Sequence, residues 1–231
     1  PPSSVPSTPA SAQRVDQLIQ QLKEDSAMPP MQLRLESAPS CQRGARTSAD
    51  GIFLTGATGF LGIHILAHAL AHGKEQIFCL VRCKDEQDGL ARIAKSAAAN
   101  RLDTSGAVTE QRVVVVRGDL AEAGLGMTEE ARLRVMKGCG IFIHNGACVN
   151  HVFPYAKLRA ANVVGTAEVM RLAAESRASG CCFVGTASVV APGGGAMGTL
   201  QSLGQVFGAG GYTQSKWVAE QIAMSHAKSY E

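Results

Sequence analysis

The chain has 231 residues, 45% apolar and 18% charged, with a formal net charge of +3 at pH 7. That is enough apolar material for one good-sized domain with an appendage. The charge is too small and dispersed for a nucleic-acid binder, and no run of 18 apolar residues is present to span a membrane.

Residues 1–12, PPSSVPSTPASA, are low in complexity and rich in Pro and Ser, and are expected to form a disordered interdomain linker. They carry no basic-then-apolar leader, and the absence of an initial Met reads as an excised piece of a longer chain. Residues 13–49 form a lead-in. Val15, Leu18, Ile19 and Leu22 have the spacing of a short amphipathic helix, ended by Pro29 and Pro30, with irregular chain after it. From residue 50 strand and helix patterns alternate. Strands are expected at 51–55, 76–81, 112–117, 140–144 and 181–185, and helices near 60–72, 86–98, 128–136, 155–177 and 212–228. Such alternation implies right-handed βαβ units and an α/β, Rossmann-type doubly wound parallel sheet over 50–231.

The run GIFLTGATGFLG at 51–62 takes an apolar strand into Gly56, Gly59 and Gly62, with Ile63, Leu66 and Leu70 following at helical spacing. Strand, glycine turn and helix together form a dinucleotide site. The first glycine makes the turn, the second admits backbone N–H groups to a pyrophosphate, and the third lets the helix lie close on the sheet. Gly56, Thr58, Gly59, Phe60, Leu61 and Gly62 are therefore assigned to the cofactor, with the helix N-terminus facing its phosphates. The spacing is G-x-x-G-x-x-G, the variant of short-chain-dehydrogenase-like proteins, and it predicts a Tyr and a Lys further on. Along the same helix His64, His68 and His72 make a stripe opposite the apolar face, read as a solvated side and not as a metal site.

The second strand ends at Arg82, where an acidic residue would bind the ribose hydroxyls of NAD. An Arg suits the 2′-phosphate of NADP instead, and Arg92 in the next helix is expected to add charge. After the third strand, Asp119 and Leu120 join the cofactor-binding set, with Asp119 accepting from the adenine amino group or capping a helix. After the fourth, Asn145, Gly146 and Ala147 fall near the ribose and pyrophosphate. Asn162 lies in a helix that packs beside the site, to hold a water, brace the backbone near Lys216 or serve structure alone.

In CCFVGTASVV, 181–190, Cys181 to Val184 read as a short buried strand, and Thr186 or Ser188 beyond it could hydrogen-bond a substrate carbonyl. The Gly-rich stretch 191–211 reads as a mobile loop and candidate lid. The expected pair then arrives in YTQSK: Tyr212 and Lys216 are four apart and share a helix face. A phenol is a poor acid–base group at neutral pH, and a neighbouring ammonium lowers its pKa. The seven cysteines, an odd and scattered number without zinc spacing, fit small buried thiols in a reducing cytosol.

Taken together, TGATGFLG, LVR, GDL, HNGACVN, PYAKLRAANVVGTAEVMRLA, VGTASV and GYTQSKWVAE resemble the thioester reductase domains of nonribosomal peptide synthetases, polyketide synthases, carboxylate reductases and aminoadipate reductases, within the extended short-chain dehydrogenases. The resemblance covers roughly residues 50–228. It implies an NADPH-dependent enzyme that acts on an acyl or peptidyl carrier protein with a phosphopantetheine-tethered substrate. The thioester passes through a hemithioacetal to a free aldehyde, in some members on to the alcohol. Thr186 and Tyr212 would polarise the carbonyl, Tyr212 would donate the proton, and Lys216 would tune Tyr212 and hold the nicotinamide ribose. It further implies a cytoplasmic, multidomain parent without metal, membrane or nucleic-acid partners.

Two departures accompany the resemblance. Gly185 stands where a hydroxyl often precedes the catalytic Thr. Family members also continue past the helix at which this chain ends, so the substrate-binding lobe is expected to be missing and the fragment to turn over poorly alone. The competing expectations are a sugar-nucleotide epimerase or steroid-type reductase, a redox-silent cyclase of carrier-bound chains, and an NADP-sensing module.

Overall fold

Short apolar runs bounded by glycine turns leave the backbone few choices other than buried parallel strands linked by helices. The computed structural model describes residues 9–28, 51–104, 106, 111–176, 178–190 and 202–228. Helix α1 (Pro9–Ser26) comes first. The alternating part is β1 (Gly51–Thr55), α2 (Phe60–His72), β2 (Ile77–Val81), α3 (Glu86–Ala99), β3 (Val113–Arg117), α4 (Glu129–Gly138) and β4 (Cys139–His144). Then follow α5 (Tyr155–Arg159), a π-helical turn (Ala160–Val164), α6 (Gly165–Glu175), β5 (Gly180–Phe183), α7 (Leu203–Phe207) and α8 (Gly211–Lys228).

The strands form one parallel sheet in the order β3-β2-β1-β4-β5. The order reverses between β1 and β4, where Thr55 pairs with His144. Period-2 alternation along β1 sends Phe53 to one face and Leu54 to the other. Phe53 packs on Phe142, with ring centroids 5.3 Å apart, and joins Val135 of α4 and Val169 and Leu172 of α6. Leu54 joins Ile63 and Leu66 of α2 and Ile93 and Ala97 of α3. Both faces are thus covered, as a doubly wound fold requires.

The expected strands fall within two residues of the observed ones, and four departures are informative. Helix α1 begins at Pro9, inside the stretch assigned to a linker, because proline is tolerated in a first helical turn. The single helix expected over 155–177 is interrupted by the π-helical turn. Strand β5 pairs with β4 alone among the described residues, so Cys181 and Cys182 are exposed and not buried as expected. Within the expected loop 191–211, residues 191–201 lie outside the described residues. Ser202 then opens α7 with a reciprocal capping box to Gln205, so that part is ordered helix.

Candidate active site

The carboxyl ends of β1 and β4 open a cleft of about 590 Å³ at the point where the strand order reverses, a size ordinary for a cofactor site. Gly56 turns out of β1 at φ +73°, and a Cβ there would meet the Cα of Gly146 at 2.8 Å. A Cβ on Gly62 would run into the carbonyl of Gly56. Only glycine lets the three segments meet so closely. Gly59 begins α2 without a side-chain cap, so the first N–H groups of the helix are left to an outside acceptor. Thr58, Phe60 and Leu61 line the same wall, and Phe60 is 76% exposed.

Arg82 stands exposed on the cleft wall, with no hydrogen bond or ion pair among the described residues. Asp119 and Leu120 line the wall beyond it. The Asp119 carboxylate accepts from the N–H of Ala121 at 2.9 Å, shaping a turn and capping no regular helix. Asn145, Gly146 and Ala147 complete the floor, and the Asn145 amide donates to Gly56 O at 3.3 Å. Arg92 is not brought to the cleft. Its guanidinium is held by Asp88 at 3.3 Å, one turn away on α3.

Behind the cleft runs a buried polar relay. Gly146 N–H donates to Thr55 Oγ1 at 2.8 Å, and Thr55 Oγ1 lies 2.8 Å from His144 Nδ1. His144 Nε2 lies 2.9 Å from Thr166 Oγ1, which donates to Asn162 O at 2.6 Å. Thr166 spends its hydrogen on Asn162, so His144 carries its proton on Nε2 and accepts from Thr55 on Nδ1. Burial, and secondarily the charge of Lys216, push the His144 pKa down to about 3. Asn162 accepts the N–H of Cys148 at 2.7 Å and donates to Ser215 Oγ at 2.9 Å.

Helix α8 carries Tyr212 and Lys216 one turn apart. Lys216 is buried, and its ammonium donates to Val184 O at 2.8 Å and sits 4.2 Å from the Phe183 ring centroid. Burial pushes its pKa down to about 8, against the pull of Glu220. Tyr212 packs edge-on to His151, centroids 5.0 Å apart, and burial raises its pKa. The expected lowering by Lys216 is therefore absent, because the ammonium is directed at the end of β5. Thr186 Oγ1 lies 3.2 Å from Ser188 Oγ, which accepts from Thr213 Oγ1 at 3.2 Å, tying the turn after β5 to the start of α8.

Sequence reasoning did not single out Thr55, Thr166, Ser215, Glu220 or Cys148. Ser215 and Glu220 stand inside the YTQSKWVAE run, where their constant distance from Lys216 along α8 was the available signal. The other three become visible only once the sheet and the π-helical turn bring them together.

A model of an NAD-binding family, described as Male sterility protein, matches residues 54–231. The chain belongs to that family. The chain is 38% identical over 186 residues to a linear gramicidin synthase of Brevibacillus parabrevis, a match covering 78% of this chain and 4% of the relative. It is 37% identical over 202 residues to L-2-aminoadipate reductase of Saccharomyces cerevisiae, covering 76% and 14%. The terminal R domain from the myxalamid PKS-NRPS biosynthetic pathway superposes with a TM-score of 0.79 at 34% identity, covering 91% of this chain and 53% of that one. The expected kinship with synthetase reductase domains and aminoadipate reductases holds. The chain spans about half of the solved R domain and a small part of these curated relatives. Among the described residues no helix is long and apolar enough to cross a membrane, and no group of three or more His, Cys, Asp or Glu could hold a metal.

Proposed function

We propose that this reductase domain carries the cofactor-binding and catalytic residues of an NADPH-dependent thioester reductase. It releases an acyl or peptidyl chain from a carrier protein as an aldehyde. The observation that carries the reading is that Tyr212 and Lys216 lie one turn apart on α8, while Thr213, between them, is tied through Ser188 to Thr186 and Lys216 donates to Val184 O just before it. A glycine turn alone would serve any dinucleotide enzyme.

The residues divide the work. The Gly56–Gly62 turn and the uncapped start of α2 hold the pyrophosphate. Arg82, whose guanidinium is unpaired among the described residues, takes the 2′-phosphate and so selects NADP. Asn145, Gly146 and Ala147 support the ribose and pyrophosphate, with Asp119 and Leu120 at the adenine. When bound, NADPH supplies the hydride that turns the thioester into a hemithioacetal.

Thr186 and Tyr212 hold the carbonyl oxygen, and Tyr212 gives it a proton. Its raised pKa keeps the phenol protonated, the form that can donate. Lys216, within reach of the strand end, holds the nicotinamide ribose. Collapse breaks the C–S bond, leaving aldehyde and a pantetheine thiol, so the partner is a carrier domain with that arm. Six described cysteines are free thiols, which supports a reducing compartment and hence the cytoplasm.

Titration with NADPH and NADH, followed by nicotinamide fluorescence, tests the nucleotide assignment. NADPH is expected to bind the more tightly, and Arg82→Glu to weaken it by about tenfold or more, the loss of one charge-assisted phosphate contact. A preference for NADH would overturn the NADP assignment. Turnover of UDP-sugars but not of acyl-pantetheine thioesters by the full chain would overturn the thioester assignment.

A further inference from the structure

The PYAKLR run at 154–159 lines no part of the cofactor cleft. Its Tyr and Arg instead converge on one carboxylate from the far end of the chain. Asp25, on α1, is 3% exposed. It accepts from Tyr155 Oη at 2.5 Å, from Arg159 Nε at 2.7 Å and Nη2 at 2.5 Å, and from Gln21 Nε2 at 3.2 Å. A carboxylate is kept buried only where its partners replace water, and a forked guanidinium with a phenol does so here.

Around this clamp the apolar face of α1 is seated on the catalytic helix. Leu22, fully buried, with Leu18 and Met28 beside it, packs into one cluster with Tyr155, Trp217, Val218 and Ile222. Trp217 directly follows Lys216. At the other end of the contact the first turns of α5 and α8 touch backbone to backbone. A Cβ added to Gly211 would lie 2.5 Å from Tyr155 N and 2.6 Å from the carbonyl carbon of Pro154. Tyr212 is the next residue, and its ring rests edge-on to His151, just upstream of Pro154.

We propose that Asp25 is a positioning residue for Tyr212. By gripping Tyr155 and Arg159 it fixes the start of α5, against which Gly211 rests, and so sets where the Tyr212 hydroxyl is presented. Helix α1 is then a strut of the reductase domain and not a tether preceding it. None of Asp25, Tyr155 or Arg159 touches the cofactor cleft, so the strut governs the proton donor and leaves in place the glycine turn and Arg82, which carry most of the hold on the nucleotide. The inference rests on Tyr212 being the proton donor.

The test compares wild type, Asp25→Asn, Asp25→Glu and Tyr155→Phe in the full chain. It measures kcat for thioester reduction, Kd for NADPH, and hydrogen exchange of the α8 amides with those of β1 and α2 as reference. Asp25→Asn is expected to lower kcat about tenfold or more, the scale on which small misplacements cost rate. Exchange at the start of α8 should quicken, while NADPH affinity and exchange in β1 and α2 hold. Asp25→Glu, which keeps the carboxylate, should recover part of the loss.

Should Asp25→Asn fail to fold, Tyr155→Phe removes only one of the bonds and is expected to lower kcat several-fold with NADPH affinity kept. Unchanged kcat and α8 exchange in the folded variants would overturn the proposal, as would NADPH affinity falling in step with kcat. A wild-type chain that binds NADPH but reduces no thioester would overturn the functional reading, and α8 exchange would still judge the strut.

Discussion

Asn162 and Ser215 are joined side chain to side chain, Nδ2 to Oγ, at 2.9 Å, and both are buried. Ser215 passes its own hydrogen to Tyr212 O at 2.8 Å, while Asn162 holds both the N–H and the C=O of Cys148. One amide therefore fastens the cleft wall to the turn of helix that bears Tyr212 and Lys216.

Asn162→Ala leaves Cys148 and Ser215 without these partners. It is expected to destabilise the domain by about 1–3 kcal/mol, the cost of stranding buried polar groups, and to lower kcat. Urea denaturation read alongside turnover checks this, and an unmoved midpoint would show that the bonds are dispensable.

Tyr212→Phe keeps the edge-on ring against His151 and deletes only the hydroxyl. Thioester reduction should fall by about 10²–10⁴, the usual contribution of a positioned proton donor, with NADPH binding retained. Steady-state turnover beside a fluorescence titration separates the two.

His144 has its pKa pushed from 6.5 down to about 3, by burial first and the Lys216 charge second. The unfolded chain binds a proton at this site between those values and the folded chain does not. Its contribution to stability is whole above about pH 6.5 and is lost as pH falls toward about 3. His144→Gln should flatten that acid-side slope of unfolding free energy. A His144 resonance, assigned by its loss in His144→Gln, that titrates near 6.5 would contradict the relay.

Lys216 is pushed down to about 8 by burial, and the Glu220 carboxylate one turn along opposes that shift. Among the described residues His144 also feels its charge, and it is neutral in this range. Turnover that needs the ammonium is therefore expected to decline as pH rises through about 8. Glu220→Gln removes the opposing charge and should carry the decline to lower pH. A pH–rate profile indifferent to Glu220 would set this coupling aside.

The glycine turn was legible because Gly56 and Gly62 occupy places where no other residue fits, and spacing along the chain records such places directly. The strand and helix alternation was legible because hydrophobic period follows local geometry. The partner of Lys216 was not. Spacing set it beside Tyr212, but the direction of its ammonium depends on where β5 ends relative to α8. Cys181 and Cys182 read as buried because an apolar run carries no mark of an edge position, which the strand order decides. Asp25 and Tyr155 lie 130 residues apart, and nothing in either neighbourhood announces the other.

The π-helical turn has a consequence for length. Gly165 N–H donates to Ala160 O, one residue further back than in an α-helix, so the turn holds a residue that a continuous helix would not need. Each residue of an α-helix advances the side chains by about 100°. Removing one residue between Ala160 and Val164 would let the turn close as ordinary α-helix, with the clamp face of α5 and the sheet-facing side of α6 keeping nearly the same phase. What such a deletion would move is the turn itself, and Asn162 with it, so the spare residue serves the bond to Ser215 and not the grip on α1 or the cover of the sheet.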